Sequence, residues 1–307
     1  MTITAVEDKY PASCLGLTPK FTPPEGSRVW TNDVMQLNVP DDSILQNIEH
    51  NIKRHLPQAR PYNPQPATLA IVGGGWSLED TEDELRDIVF DKAVITALNG
   101  AGNWLVEHNF QPKIHYIMDA REESIGFVKH RAKGCRYLIA SQCDPSIFDA
   151  LEGEDVTMFH VVSSTSKEMK DKDKGGPVGG DGIRALLDKH YKKRWNEVPG
   201  AGTIGMVSLP LSLMLGYSSA HLFGIDSCYP AGDRYHHAYD QKVNDGETQL
   251  KFECAGRDFI CAPWQASQAN NFIEVTKALG SRLQLSIHGD GLLAHMVETG
   301  SQLSSET

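Results

Sequence analysis

The stretch that most constrains the fold is residues 69–78, Leu-Ala-Ile-Val-Gly-Gly-Gly-Trp-Ser-Leu. Its four leading apolar residues fit a strand that is buried on both faces, as in a parallel sheet. The three glycines permit a sharp turn and let a ligand approach main-chain N–H groups closely. Thr81 and Glu84 have capping-box spacing, which predicts that a helix begins near Thr81. Strand, glycine loop and helix in this order open a nucleotide-binding α/β sheet.

An acidic stretch follows the glycine loop. Residues 79–84 read Glu-Asp-Thr-Glu-Asp-Glu, which suits the N-terminal end of a helix but would repel a phosphate placed there. The loop lacks the G-x-G-x-x-G spacing and the P-loop lysine, so a plain tight turn is the alternative interpretation. If a nucleotide binds here, we expect its ribose or base near the loop and its phosphates elsewhere.

Composition restricts the classes of function. The net charge of −11 and the lack of a long basic run argue against a broad nucleic-acid surface. No apolar run approaches the ~20 residues of a membrane span, and the N-terminus lacks the features of a signal peptide. The six cysteines form no C-x-x-C pair, which indicates reduced thiols rather than disulfides or a zinc site. These features predict a cytoplasmic protein.

The chain is predicted to consist of an extension, one main domain and a short tail. Residues 1–65 form a Pro-rich extension with one amphipathic helix over 42–55, where Ile44, Leu45, Ile48 and Ile52 have helical spacing. This helix is expected to pack on the main domain or on a partner, including a second copy of the chain. Residues 66–300 form the main domain, and residues 301–307 a disordered tail.

Strand-like and helix-like segments alternate through the main domain. Strands are predicted over 93–98, 113–118, 136–140 and 156–162, and helices near 101–109, 122–132 and 145–151. The alternation predicts a Rossmann-like, doubly wound, mostly parallel sheet with helices on both faces, and residues 248–261 add a β-hairpin. Residues 163–199 are rich in glycine and lysine and interrupt this pattern. They are interpreted either as a solvated insertion or as a lid that closes over substrate.

Polar residues follow several predicted strands, at the carboxyl edge where open parallel sheets bind ligands. Asn99 could be a turn residue or could hydrogen bond a nucleobase or ribose. Asp119 could cap the next helix, bind ribose hydroxyls or bind a metal. The other candidates at this edge are Ser141, Asp226, His288 and Asp290.

The loop after Asp226 is dense in functional groups. Residues 228–240 read Cys-Tyr-Pro-Ala-Gly-Asp-Arg-Tyr-His-His-Ala-Tyr-Asp. Such a set could bind a diphosphate and supply a base near neutral pH. Its histidines and acids could instead hold a divalent metal, although their spacing matches no standard site, and an ordinary polar surface loop remains the third interpretation. The candidate residues are Tyr229, Arg234, Tyr235, His236 and His237.

These motifs resemble a known family. Residues 73–78 are similar to the G-N-G-P-S-L signature of the MptE-like family, domain of unknown function 115, and so are the segments 97–99, 112–119, 202–203 and 222–226. The likeness runs from about residue 67 to residue 297. The family includes archaeal 6-hydroxymethylpterin diphosphokinases and Maf-type flagellin glycosyltransferases. It is distantly similar to the metal-independent bacterial sialyltransferases that use CMP-sugars.

The resemblance implies a nucleotide site and a phosphate site. In the sialyltransferases, two tyrosines six residues apart hold the donor phosphate, as Tyr229 and Tyr235 could here. This chain departs from its relatives at Gly74, where they have Asn, and at Trp76, where they have Pro. It also lacks their catalytic histidine near 262–268 and the pterin kinases' H-A-H-G-D-N signature. The predicted nucleotide-binding residues are Gly73, Gly74, Gly75, Trp76, Ser77, Asn99, Asp119 and Thr203.

Three functions follow as hypotheses. The first is a glycosyltransferase that takes sugar from a CMP- or NDP-sugar by direct displacement and requires no cofactor, with His236 or His237 as the base. The second is an Mg²⁺- and ATP-dependent pyrophosphokinase with Asp119 and Asp226 on the metal. The third is a nucleotide-binding module without activity, whose N-terminal segment recruits a partner.

Overall fold

A computed structural model describes residues 20–22, 39, 41–162, 180–231, 238 and 249–300. The strands in these ranges are β1 (Lys20–Thr22), β2 (Leu69–Val72), β3 (Val94–Leu98), β4 (Ile114–Ile117), β5 (Arg136–Ala140), β6 (Asp155–Val162), β7 (Glu197–Pro199), β8 (Ser219–Phe223), β9 (Leu250–Cys254), β10 (Arg257–Cys261) and β11 (Gln284–Ile287). The helices are α1 (Asp41–Asn51), α2 (Glu82–Phe90), α3 (Ala101–Glu107), α4 (Pro145–Ala150), α5 (Gly180–Tyr191), α6 (Ile204–Met214), α7 (Pro263–Leu279) and α8 (Leu292–Gly300). Within these ranges, no helix is both long enough and apolar enough to cross a bilayer.

The main sheet has the strand order β11-β8-β2-β3-β4-β5-β6-β7, and its paired strands are parallel. Its side chains alternate between two apolar layers. Leu69 and Ile71 of β2 belong to the same core cluster as α6, and Ala70 and Val72 to the cluster that contains Leu85 of α2. The predicted Rossmann-like, doubly wound sheet with helices on both faces is therefore confirmed.

The order of the strands reverses beside β2. From β2 to β7 each new strand adds to the same side, and the chain then returns to place β8 and β11 on the other side. The carboxyl ends of β2 and β8 therefore diverge into connections that cover opposite faces. Open α/β sheets bind ligands in the crevice at such a reversal.

The predicted amphipathic helix is α1, and it packs on the main domain. Ile44 and Ile48, with Ile52 just beyond the helix, are buried in the core cluster that also contains β4 and β5. The side-chain amide of Asn51 donates to the carbonyls of Ser141 and Cys143, at 3.1 and 2.8 Å. The helix thus closes the carboxyl ends of β4 and β5, and an interface between two copies would have to use its opposite face.

The Pro-rich stretch after α1 is docked on the sheet and on α6. Met158 donates its N–H to Pro57 at 2.8 Å, and Ala59 donates to Met158 at 2.7 Å. Further along, the N–H of Gln65 reaches the carbonyl of Gly216 at 2.8 Å. The first two bonds form a parallel bridge at Met158 on the edge of β6. The linker-like composition of this stretch does not predict that it docks on the sheet.

Two smaller elements complete the fold. The predicted hairpin is β9 and β10, and β1 pairs antiparallel with β9. Within the interval 163–199, α5 and β7 continue the alternation, and β7 pairs with β6. The remainder of that interval, residues 163–179, lies outside the described residues, so the lid stays a prediction, as does the tail at 301–307.

Candidate functional site

Backbone contacts join the glycine loop to the end of β8. The N–H groups of Gly73 and Gly75 donate to the carbonyls of Phe223 and Gly224, both at 2.8 Å. A Cβ on Gly73 would lie 2.5 Å from the Gly224 oxygen, and one on Gly75 would overlap an Asp226 carboxylate oxygen. The two chain segments approach this closely because neither glycine has a side chain.

The Asp226 carboxylate lies against the glycine loop, where it accepts a backbone N–H that could otherwise bind an anion. Its side chain is only 5% exposed, and its Oδ2 accepts the N–H of Ser77 at 3.1 Å. Ser77 lies in the 3-10 turn Trp76–Leu78, whose indole donates to the Cys228 carbonyl at 3.2 Å. The donors at 73, 75 and 77 therefore all have protein acceptors. A phosphate at this loop would face the Asp226 carboxylate, whereas an uncharged hydroxyl or base would not be repelled.

Asn99 ends β3 in a left-handed conformation, with φ of +44°. Its Oδ1 accepts the N–H of Met118 at 3.1 Å, and its backbone carbonyl accepts from His115 Nε2 at 2.6 Å. Burial lowers the pKa of His115 to about 4, so this imidazole is neutral at pH 7. Among the described residues, none accepts a hydrogen bond from the Asn99 amide nitrogen.

Asp119 lies apart from Asp226. Both of its carboxylate oxygens bond to the guanidinium of Arg121, at 2.5 Å for the shortest contact. It follows β4, whereas Asp226 follows β8, three strand intervals away. At ~4.8 Å per interval, the two backbones are separated by about 14 Å, too far for the carboxylates to bind one ion. The described residues therefore do not fit a magnesium ion shared by Asp119 and Asp226.

His288 sits in a chain of three polar side chains after β11. Its Nδ1 lies 2.7 Å from Glu84 Oε2, and its Nε2 lies 2.8 Å from His221 Nδ1. The ring also stacks on Phe223, with 4.2 Å between ring centroids. Burial, followed by the neighbouring His288, lowers the pKa of His221. Sequence reasoning missed Glu84 and His221, because neither follows a strand end.

The loop 289–291 closes the crevice from the other side. A Cβ on Gly289 would overlap the hydroxyl of Ser77, for which the described residues provide no hydrogen-bond partner. Asp290 pairs with Arg257 of β10, whose Nη2 lies 2.8 Å from its Oδ2. That guanidinium lowers the pKa of Asp290.

Thr203 connects to the crevice through a glutamine that sequence reasoning missed. The Thr203 hydroxyl donates to Gln268 Oε1, and Gln268 Nε2 donates to Ser227 Oγ at 2.6 Å. A buried glutamine on a helix has no local sequence signal, since its two partners are remote in the chain.

The loop after Asp226 is described only in part. Tyr229 donates its N–H to Ile260 at 2.7 Å, and Ala238 donates its N–H to Gly74 at 3.1 Å. The predicted residues Arg234, Tyr235, His236 and His237 lie outside the described residues. The structure thus brings residues 73–77, Asp226 and the loop 289–291 together at the ends of β2 and β8, with Asn99 after the next strand. Tyr229 lies beside β10, through its bond to Ile260.

Fold and crevice define the protein as a doubly wound parallel α/β protein with its candidate ligand site at the strand-order reversal. The model of the MptE-like family, described as 6-hydroxymethylpterin diphosphokinase MptE-like, matches residues 42–232, more than half of the chain. The chain therefore belongs to the MptE-like family. The family match starts within α1 and so includes the helix that closes the ends of β4 and β5.

Among solved structures, the chain is similar to the Maf glycosyltransferase from Magnetospirillum magneticum AMB-1, at 11% identity and a TM-score of 0.49. The match covers 88% of this chain and 43% of that one, so this chain spans less than half the length of that protein. No curated protein matches the chain.

Proposed function

We propose that this protein is a nucleotide-dependent transferase, and specifically a glycosyltransferase that uses a CMP- or NDP-sugar donor. The observation that carries the proposal is the Asp226 carboxylate on the N–H of Ser77 at the reversal point of the sheet. A glycine loop whose donors already have acceptors suits the uncharged nucleoside half of a donor. The phosphates then lie on the side of Tyr229, Arg234 and Tyr235.

The reaction is a direct displacement at the sugar. The acceptor oxygen bonds to the anomeric carbon while the bond from that carbon to the donor phosphate breaks, and His236 or His237 takes the acceptor's proton. The guanidinium of Arg234 and the tyrosine hydroxyls stabilise the departing phosphate charge. The contact between Gly74 and Ala238, the residue that follows His237, supports a place for this loop beside the nucleoside.

The description of the family, 6-hydroxymethylpterin diphosphokinase MptE-like, favours a second function, which would be an Mg²⁺- and ATP-dependent diphosphokinase. Under that function Asp119 and Asp226 would bind the metal, but their separation and the pairing of Asp119 with Arg121 do not fit a common ion. The third function, nucleotide binding without turnover, shares the crevice and differs only in chemistry. We therefore rank glycosyl transfer first.

Nucleotide binding is tested by thermal shift with CMP, UDP, ADP and ATP, each with and without Mg²⁺. A nucleotide at a hundredfold excess over its Kd should stabilise the protein by about 2.7 kcal/mol. Gly74→Val should abolish that shift while the free protein still folds. Gly126→Val is the matched control, because a Cβ at exposed Gly126 meets no atom within 4 Å. An unchanged shift in Gly74→Val would mean that the loop is only a turn.

Turnover separates the three functions. Glycosyl transfer should survive EDTA, a diphosphokinase should lose activity in EDTA, and a binding module should show affinity without product. Replacing the base in His236→Ala or His237→Ala should lower turnover by roughly 10²–10⁴-fold with little change in donor affinity. Wild-type turnover in both variants would show that neither histidine is the base, and would contradict the proposed mechanism.

A further inference from the structure

Gln268 joins two segments that meet at the crevice. It lies on α7, is 5% exposed, and uses both ends of its carboxamide. Its oxygen accepts from Thr203, at the start of α6, and its nitrogen donates to Ser227, just after β8. A primary amide carries an acceptor oxygen and a donor nitrogen on one planar group, and Asn, the other primary amide, is one methylene shorter.

Ser227 has a backbone conformation that costs free energy unless contacts hold it in place. Its φ is +57°, in the left-handed region, and its side chain is buried. Residues other than glycine adopt this conformation at a cost, which surrounding contacts must offset. The turn at Ser227 sets the directions of its neighbours, since Asp226 then reaches Ser77 and the carbonyl of Cys228 receives the Trp76 indole.

Thr203 is diverted from its usual role by the same glutamine. It occupies the N-cap position of α6, where threonine commonly accepts a backbone N–H of the first turn. Here its side chain makes no such cap and donates to Gln268 instead. The glutamine therefore fixes the start of α6 relative to the turn at Ser227.

We propose that Gln268 is a positioning residue, which holds Ser227 in its left-handed turn and thereby holds Asp226 against Ser77 at the crevice and Tyr229 against Ile260. What the crevice binds rests on the proposed function, whereas the positioning itself does not. Removal of the amide should release the turn at Ser227. A glycine at that position should then restore the geometry, because glycine adopts the left-handed region without the penalty.

The test compares Gln268→Leu with Gln268→Leu/Ser227→Gly by amide hydrogen exchange in the free protein. Gln268→Leu should speed exchange at Ser77 and Tyr229 by about tenfold or more, since their acceptors are Asp226 and Ile260. The double variant should return to wild-type rates. Gln265→Leu is the matched control: Gln265 is buried on the same helix, but among the described residues its Oε1 bonds within the first turn of that helix, to the N–H of Ala262 at 2.8 Å.

Two results would overturn the proposal. One is wild-type exchange at Ser77 and Tyr229 in Gln268→Leu; the other is fast exchange that Ser227→Gly fails to restore. If CMP or UDP binds the wild-type protein, its affinity should fall in Gln268→Leu and recover in the double variant. If neither binds, the proposed function fails while the exchange result still decides the role of Gln268.

Discussion

Gly75 makes the closest approach in the crevice, and a single methyl group tests it. A Cβ there would overlap Asp226 Oδ2 and lie 2.8 Å from the Gly224 carbonyl, both held by hydrogen bonds. We expect Gly75→Ala to lower the free energy of unfolding by about 2–4 kcal/mol. Denaturant titration measures this change. Gly126→Ala, with open space around its Cβ, should stay within about 0.5 kcal/mol, and equal behaviour of the two variants would contradict the close approach.

At this scale, local pattern predicts some of the site and remote contacts decide the rest. The glycine loop and Asp226 follow from apolar runs that end in glycine or acid, so their place at the sheet edge could be predicted. The bond between Ser77 and Asp226 could not be, because it depends on which strands become neighbours. Thr81 illustrates the same limit: helix α2 does begin beside it, but its hydroxyl donates to the Ser77 carbonyl at 2.9 Å and makes no capping box.

Helix α1 stabilises the sheet through Asn51 as well as through its isoleucines. The Asn51 amide is buried and satisfies the carbonyls of Ser141 and Cys143, which follow β5. Asn51→Ala removes both bonds and leaves two buried acceptors, so we expect a loss of about 2–3 kcal/mol in the free energy of unfolding. Gln46→Ala, on the exposed face of the same helix, provides the comparison in denaturant titration. Equal stabilities of the two variants would show that the two Asn51 hydrogen bonds add nothing to the stability of the fold.

Elements with strong periodicity could be predicted, and short or docked ones could not. Strands β3 to β6 lie where apolar runs predict them, within a residue or two at each end. β7 has three residues, of which Val198 alone is buried, so it has no hydrophobic pattern from which a strand could be predicted. The segment predicted as a helix over 122–132 is a 3-10 turn at Glu122–Val128. Asn103 binds it through the carbonyl of Gly126 and the N–H of His130.

Acid should weaken the whole fold through two buried histidines. Burial lowers the pKa of both His115 and His160 to about 4, from 6.5. Because the unfolded chain takes up these protons first, the stability from each neutral histidine is complete above about pH 6.5 and declines toward pH 4. Each should account for about 2 kcal/mol of the loss between pH 7 and pH 5.

Histidine variants separate the contributions of the two histidines to this loss. His115→Gln should reduce the difference in unfolding free energy between pH 7 and pH 5 by about 2 kcal/mol. Adding His160→Gln should remove the contribution of His160 as well. The two histidines lie on different strands, so their effects should add. A double variant that keeps the wild-type pH dependence would place the titrating groups elsewhere.

The reversal of strand order also sets the sequence of assembly. Strands β2 to β7 pair with their neighbours along the chain. The pairing of β2 with β8, which joins Leu69 to Ala220, can form only after β8 has been synthesised. Distant pairings form late because long loops must close first. During synthesis on a ribosome, strands β2 to β7 can pair with one another before β8, the strand beside the glycine loop, has been translated. The candidate site, which lies between the ends of β2 and β8 and is closed by the loop after β11, is therefore complete only when the C-terminal strands have joined the sheet.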